Sequence, residues 1–182
     1  MSYITTYTGL HIDPAAPEAE LLDIRDIAHA LSMTCRGNGH VSSFFSVGQH
    51  CLHCAAEARA RGYDRRVVLA CLLHDASEAY MSDVPRPFKK MLPEYIAAEE
   101  RLLDMVYETF LGSKLTPEEA ALVKAVDDDM LVYDLKNLLA EEPEGELPQM
   151  YSAFSYRVLP FEEVERRYLE MYERLTQKGM LW

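Results

Sequence analysis

The sequence predicts an all-α protein, a bundle of about six helices with little sheet. Three observations predict it. Apolar residues recur at helical spacing almost continuously from Ile24 onward. Side chains suited to helix starts stand at Ser46, Asp64 and Thr116. Gly62, Gly112 and Gly179 stand where the periodic stretches stop.

The elements follow in order. The first twenty-two residues, polar and carrying Pro14 and Pro17, read as an extended arm with a short strand at Tyr3–Tyr7. Ile24, Ile27, Ala28 and Leu31 mark the first helix, and Gly37-Asn38-Gly39 breaks the chain. Ser46 with Gln49 forms a capping box, so a helix should run from Val47 to Arg61. Asp64 should cap the next helix, whose Val67, Val68, Ala70, Cys71, Leu72 and Leu73 make it apolar nearly all round and central. This helix is expected to continue through His74 and Asp75. Asp83 to Pro87 should be a loop, since two prolines oppose a regular helix. Pro93 opens a helix that closes near Gly112. Thr116-Pro117-Glu118-Glu119 starts another, expected to reach Ala140. Glu141 to Pro148 reads as an acidic loop, and a last amphipathic helix should span Phe161 to Lys178 within a terminal stretch 160–182.

A length of 182 residues makes a single domain over 1–182 the default, with enough chain to bury a core. The hydrophobic fraction of 49% and charged fraction of 26% are ordinary for a globular protein. No apolar run reaches membrane-span length and no signal-peptide pattern opens the chain, so the expectation is a cytoplasmic protein with no membrane partner. The formal charge of -12 argues against a nucleic-acid polymer as partner, though not against a single nucleotide. Cys35, Cys51, Cys54 and Cys71 are expected as reduced thiols. Cys51 and Cys54 form a C-x-x-C beside His50 and His53, but no second pair accompanies them, and packing is the expected role.

The chemistry concentrates elsewhere. His74-Asp75 follows Leu72-Leu73, where an ionisable pair costs several kcal/mol unless it is paired or holds a metal. His50 stands upstream, and Asp127, Asp128 and Asp129 stand downstream in an apolar helix. Two imidazoles and two carboxylates suit one partly hydrated divalent cation, and such a cation suits phosphate-ester hydrolysis. Without a metal, His74 would be a satisfied core histidine and Asp75 would pair with a Lys or Arg. Glu78 follows His74 by four residues and should share its helix face, within reach of a metal-bound water.

These residues carry a resemblance. Asp26-Ile27-Ala28-His29, Cys35-Arg36, Gly39-His40, Ser46-Val47-Gly48-Gln49-His50, His74-Asp75-Ala76-Ser77-Glu78-Ala79-Tyr80 and Asp83-Val84-Pro85-Arg86-Pro87-Phe88-Lys89 resemble the HD-domain phosphohydrolases, in their small nucleotide-directed branch. The resemblance runs from about Ile24 to about Leu139. It implies an HD-domain helical bundle and one divalent metal (Mn, Co, Fe, Zn or Ni) held by His50, His74, Asp75 and Asp127. The family's Val-Lys-x-x pattern selects Asp127 over Asp128 and Asp129, whose alternative is a solvated face. Asp134, seven residues on, resembles an acidic residue found in relatives. Glu78 matches the catalytic acid/base, and Asp83 a residue that orients water or binds the sugar. Arg36 and Lys89 match phosphate-binding cations, with Arg86 as a further source of charge. His40 matches a residue behind the ligands or facing the substrate, and Tyr80 is a candidate substrate contact.

The implied activity is that of a 5'-(deoxy)nucleotidase releasing phosphate from nucleoside monophosphates. A deoxynucleoside triphosphate triphosphohydrolase releasing triphosphate is the alternative. A noncatalytic nucleotide-binding sensor is the rival of another class, opposed by the intact Glu78. A di-iron oxygenase needs further histidines, and no His follows His74. The chain departs from the family at Gly37, where relatives carry an aromatic ring, which weakens any inference of deoxyribose selectivity. Phe44, Phe45 or Tyr80 are the rings that remain. Gln49 stands where relatives often have Glu. A homo-oligomer, dimer or larger, is expected, with Met180, Leu181 and Trp182 as apolar residues available to a partner.

Overall fold

The computed structural model describes residues 3–177. Among them, six helices of nine residues or more and two single turns carry the fold: α1 Ile24–Met33, α2 Val47–Ala60, α3 Arg65–Leu73, α4 Glu78–Met81, α5 Arg86–Lys89, α6 Pro93–Leu111, α7 Pro117–Leu138 and α8 Phe161–Thr176. The protein is all-α apart from one small hairpin. In it β1 (Ile4–Thr5) pairs antiparallel with β2 (His11–Ile12). The strand expected at Tyr3–Tyr7 is thus shorter and has a partner. The arm as a whole is less extended than its composition suggests. Thr8 donates its N–H and hydroxyl to the buried Asp26 carboxylate at 2.7 and 2.8 Å, pinning the hairpin to α1.

The capping residues start their helices as the sequence predicts, except that the box expected at Ser46 forms only in half, because the Gln49 side chain donates instead to the Ser155 and Arg157 carbonyls. Ser46 Oγ accepts from Gln49 N, Asp64 from Val67 N, and Thr116 and Glu119 complete a reciprocal capping box. Gly112, at φ 85°, ends α6 in the left-handed region where glycine carries no Cβ penalty.

α2 and α3 form the centre, with α1 and α8 packed together on one side and α7 against both. Leu72 and Leu73 on α3, Leu31 on α1, Met130 on α7 and Tyr168 on α8 are fully buried there. Each such side chain contributes about 1.5–3 kcal/mol through burial. Gly48 permits the close approach of α2. A Cβ there would lie 3.1 Å from Val164 Cγ1 and 3.2 Å from the Leu31 backbone.

Three boundaries differ from the sequence reading. α3 stops at Leu73, so His74 and Asp75 lie in a turn and not within the helix. The turn has a physical cause. The Leu72 carbonyl accepts from Tyr168 Oη at 2.7 Å, and Cys71 O lies 2.8 Å from His74 Nδ1. The backbone then tightens to i→i+3 bonds, Ala76 N to Leu73 O and Glu78 N to Asp75 O, both 2.9 Å. Second, Arg86–Lys89 is one helical turn inside the expected loop. Pro87 sits at its second position, where an N–H has no intrahelical partner to lose. Third, α7 ends at Leu138, and Ala140 takes φ 51°.

α8 likewise ends before the expected Lys178: it closes at Thr176, and Gln177 takes an extended backbone, φ -71° and ψ 122°. Gly179 and the apolar Met180, Leu181 and Trp182 lie outside the described residues. No helix among the described residues is long and apolar enough to cross a membrane.

Candidate functional site

Four donor atoms from three elements meet in the middle of the bundle. His50, on the first turn of α2, is fully buried. Its Nε2 lies 3.2 Å from Asp127 Oδ1 and 3.9 Å from Asp75 Oδ2. His74 Nε2 lies 3.3 Å from Asp75 Oδ2 and 3.6 Å from Asp127 Oδ1. Donors held about 2.0–2.2 Å from one cation stand about 2.8–3.6 Å from each other. The 3.2, 3.3 and 3.6 Å separations fall in that span, and the 3.9 Å between His50 Nε2 and Asp75 Oδ2 lies just beyond it.

The donors fit a cation on a second ground. His74 Nε2 is buried yet makes no hydrogen bond. Its Nδ1, 2.8 Å from Cys71 O, is placed to carry the proton. That tautomer leaves a lone pair on Nε2, aimed among carboxylates. Electrostatics agree. Burial opposes charging of His50 and Arg36 repels its proton, but Cys54, Asp134 and Asp127 outweigh both and raise its pKa well above the usual value. Burial likewise opposes a proton on His74, and Asp75, Cys51 and Asp127 outweigh it. Burial would raise the pKa of Asp127, yet the two imidazoles hold it well below the carboxylate range. The cluster therefore attracts positive charge, which protons or a divalent cation can supply.

Two thiols lie against the cluster. Cys54 Sγ is 3.4 Å from His50 Nε2, and the donor atoms of His50, Cys54 and His74 lie within 4.8 Å of one another. Cys51, His74 and Asp75 form a second such group. The sequence reading set a zinc site at these cysteines below packing for want of a second pair. Their i+1 and i+4 offsets from His50 were the available signal.

Behind His50 stands Asp134, buried on α7 one helical face from Asp127. Its Oδ2 is 2.9 Å from His50 Nδ1, short in distance though poorly aligned with the ring. It also accepts from Arg36 Nη2 and from Tyr156 Oη, each at 3.0 Å. Tyr156 comes from an irregular segment, and nothing in the sequence pattern marks it.

The remaining candidates divide. Arg36 spans Asp134 and Asp75, at 3.0 and 3.5 Å, and so borders the cluster. Glu78 is 8% exposed, and its Oε2 has no hydrogen-bond partner. Burial, then Asp75 and Asp83, raise its pKa well above the ordinary value against the pull of Arg36 and Lys89. Asp83 accepts from Gly37 N at 3.1 Å, tying the segment after α4 to the Arg36 loop. Arg86 reaches the cluster from outside, with Nη2 3.0 Å from Asp127 Oδ2 and 3.2 Å from Asp128. Lys89 is occupied by Glu99, at 2.8 and 2.9 Å. His40 is exposed at the end of the Arg36–Gly39 turn. Tyr80 turns toward the hairpin and α1, lining a cleft with Tyr7, Asp26 and His29. Asp129 is bound by Arg61 at 2.8 Å and Asp128 by Lys124 at 2.6 Å, so neither is simply solvated.

Comparison with known proteins gives two relatives. The Escherichia coli K12 protein named "Uncharacterized protein YfdR" is 35% identical over 138 residues, which cover 76% of this chain and 73% of YfdR. The chain belongs to the YfdR family. A second similar protein, from Rhodobacter capsulatus and also named as uncharacterized, is 33% identical over 127 residues, 66% of this chain and 64% of that protein. No family model matches this YfdR-family chain.

Proposed function

We propose that this chain is a divalent-metal-dependent nucleotide phosphohydrolase of the HD-domain kind, releasing phosphate from (deoxy)nucleoside 5'-monophosphates. One observation carries the reading: Nε2 of His50 and of His74 converge with Oδ2 of Asp75 and Oδ1 of Asp127, and a buried imidazole nitrogen is left unbonded. The motif resemblance around those residues supplies the reaction class.

His50, His74, Asp75 and Asp127 would hold the metal. A divalent ion so held lowers the pKa of a bound water and offsets charge on a phosphate oxygen. The other residues supply the rest. Glu78, raised in pKa by burial and by Asp75 and Asp83, keeps its proton more readily than a free carboxyl and would give it to the leaving nucleoside oxygen. Arg36, with a planar guanidinium already oriented by Asp134 and Asp75, binds a phosphate oxygen. Arg86, 55% exposed at its side chain and bridging Asp127 to Asp128, can release one carboxylate to meet a second oxygen. Arg86 is better placed for this than Lys89, because both are paired with carboxylates but the Arg86 side chain is 55% exposed beside the cluster and that of Lys89 is 22% exposed. Asp83 holds Gly37, and thereby the Arg36 loop, against the segment after α4. A cytoplasmic setting fits a nucleotide substrate and four free thiols.

The test is a product assay over nucleoside mono- and triphosphates, using metal-stripped protein reloaded with Mn or Co. Release of inorganic phosphate from monophosphates supports the reading. Release of triphosphate moves the chain to the triphosphohydrolase reaction. Nucleotide binding without turnover under every metal makes it a sensor.

A further inference from the structure

A cavity of about 560 Å³ opens between α2, α8 and the segment 153–159. None of the cluster's ligand candidates lines it. Its floor is aliphatic, with Leu52 and Ala56 from α2 and Met171 and Leu175 from α8. Four arginines, Arg59, Arg157, Arg167 and Arg174, also line it. In a chain of charge -12, with 30 acidic residues against 18 basic ones, that concentration is unexpected. Most cations in this fold meet a carboxylate. Arg167 does, pairing with Glu163 at 2.7 Å, and Glu170 on the same wall is taken by Arg166 at 2.6 Å. Among the described residues, no carboxylate pairs with Arg59, Arg157 or Arg174, and all three are exposed. An aliphatic floor beside three uncompensated guanidiniums matches one ligand chemistry, an apolar chain ending in an anion.

We propose that this cavity is a second binding site, and that it takes an anionic amphiphile with an alkyl or acyl body and a phosphate, sulfonate or carboxylate head. The alkyl body lies on Leu52, Ala56, Met171 and Leu175, and the arginines hold the head. The site bears on the cluster through one segment. Phe154, Ser155 and Arg157 face the cavity, while Tyr156 between them donates to Asp134 beside His50. Gln49, next to His50, also lines the cavity and donates to the Ser155 and Arg157 carbonyls at 3.2 and 3.3 Å. A bound amphiphile therefore braces the segment that supports His50.

The test is calorimetric titration of the intact protein with decanesulfonate, below its micelle concentration, a probe that phosphate-ester hydrolysis cannot consume. Hydrogen exchange is followed in parallel. The expected result is saturable binding of one equivalent, with slowed exchange over 153–159 and α8. Binding should weaken at least about tenfold in the Arg59→Gln/Arg157→Gln variant, since charge-assisted contacts are lost. Decyl maltoside and inorganic sulfate should each bind at least about tenfold more weakly, because each lacks half of the recognised chemistry. Four results overturn the proposal: no binding, an unchanged affinity in the double variant, equal affinity for the uncharged detergent, or protection elsewhere. Tighter binding of AMP than of decanesulfonate, with the same arginine dependence, also overturns it by making the ligand a nucleotide. Binding is read without turnover, so failure of the phosphohydrolase reading leaves this outcome intact.

Discussion

Oδ2 of Asp134 lies 2.9 Å from Nδ1 of His50, on the side of the ring opposite the donor cluster. A carboxylate there favours a proton on Nδ1 and leaves a lone pair on Nε2, the atom that faces Asp75 and Asp127 and would ligate a metal. Such partners typically contribute about 10–100-fold in metal affinity. Asp134→Ala is expected to weaken metal binding by about that factor while the helical content stays. Competition with a chelator of known affinity measures it. Unchanged affinity would make Asp134 a partner of Arg36 and Tyr156 only.

Glu78 should matter for turnover and not for metal. Glu78→Gln is expected to keep the metal and lose about 10²–10⁴-fold in kcat. The pH dependence follows from the direction of its shift. A carboxyl raised above its ordinary value keeps its proton to higher pH than a free carboxyl, and loses it as pH rises through the raised value. A group acting as general acid therefore gives a rate that falls on the alkaline side. The Gln variant should lack that limb. A pH–rate profile of the two proteins decides it, and identical profiles would remove Glu78 from the proton step.

The cations near the cluster should rank by what they touch. Arg36→Ala and Arg86→Ala are each expected to cost about 10–100-fold in kcat/KM, the equivalent of one charge-assisted phosphate contact. Arg36→Lys should also be impaired, since it loses the planar fork. Lys89→Ala should cost less, because its ammonium is already held by Glu99. Steady-state kinetics on the four variants check the order. A Lys89 effect larger than that of Arg86 would reverse the assignment.

Much of this was legible in the sequence, and the failures have physical causes. The caps at Asp64 and Thr116 are local chemistry and fold as read, while Ser46 caps α2 without the reciprocal bond because Gln49 is drawn to the 155–157 backbone. His74 and Asp75 stood out because charge beside Leu72-Leu73 demands an explanation, whereas Asp127 was selected over Asp128 and Asp129 by the family resemblance alone. The end of α3 at Leu73 was not legible, since it depends on Tyr168, ninety-six residues away, taking the Leu72 carbonyl. For the same reason the expected helical i+4 placement of Glu78 after His74 became a turn. Tyr156 and the Lys89–Glu99 pair are likewise tertiary events with no periodic signature.

Glu57 offers a stability test away from the cluster. It is fully buried on α2 and accepts from Arg61 Nε, Ser152 Oγ and the Tyr151 and Ser152 N–H groups. Burial alone would raise its pKa, but these donors outweigh burial and lower it from the ordinary 4.5. A lowered folded-state pKa gives stability that is present above the unfolded value and lost as pH falls through the folded one. Glu57→Gln is expected to lower stability by about 2–3 kcal/mol at neutral pH. It should also flatten the loss of stability below pH 4.5. Urea melts across pH test it, and parallel pH curves for the two proteins would contradict it.

The central claim is that His50, His74, Asp75 and Asp127 bind one metal ion. Elemental analysis of purified wild type beside His74→Ala and Asp127→Ala, with circular dichroism on the same samples, tests it most directly. The account predicts one divalent metal per chain in the wild type and its loss from both variants, with helical content retained. A wild type without metal after loading and desalting, or variants that keep a full equivalent, would contradict it.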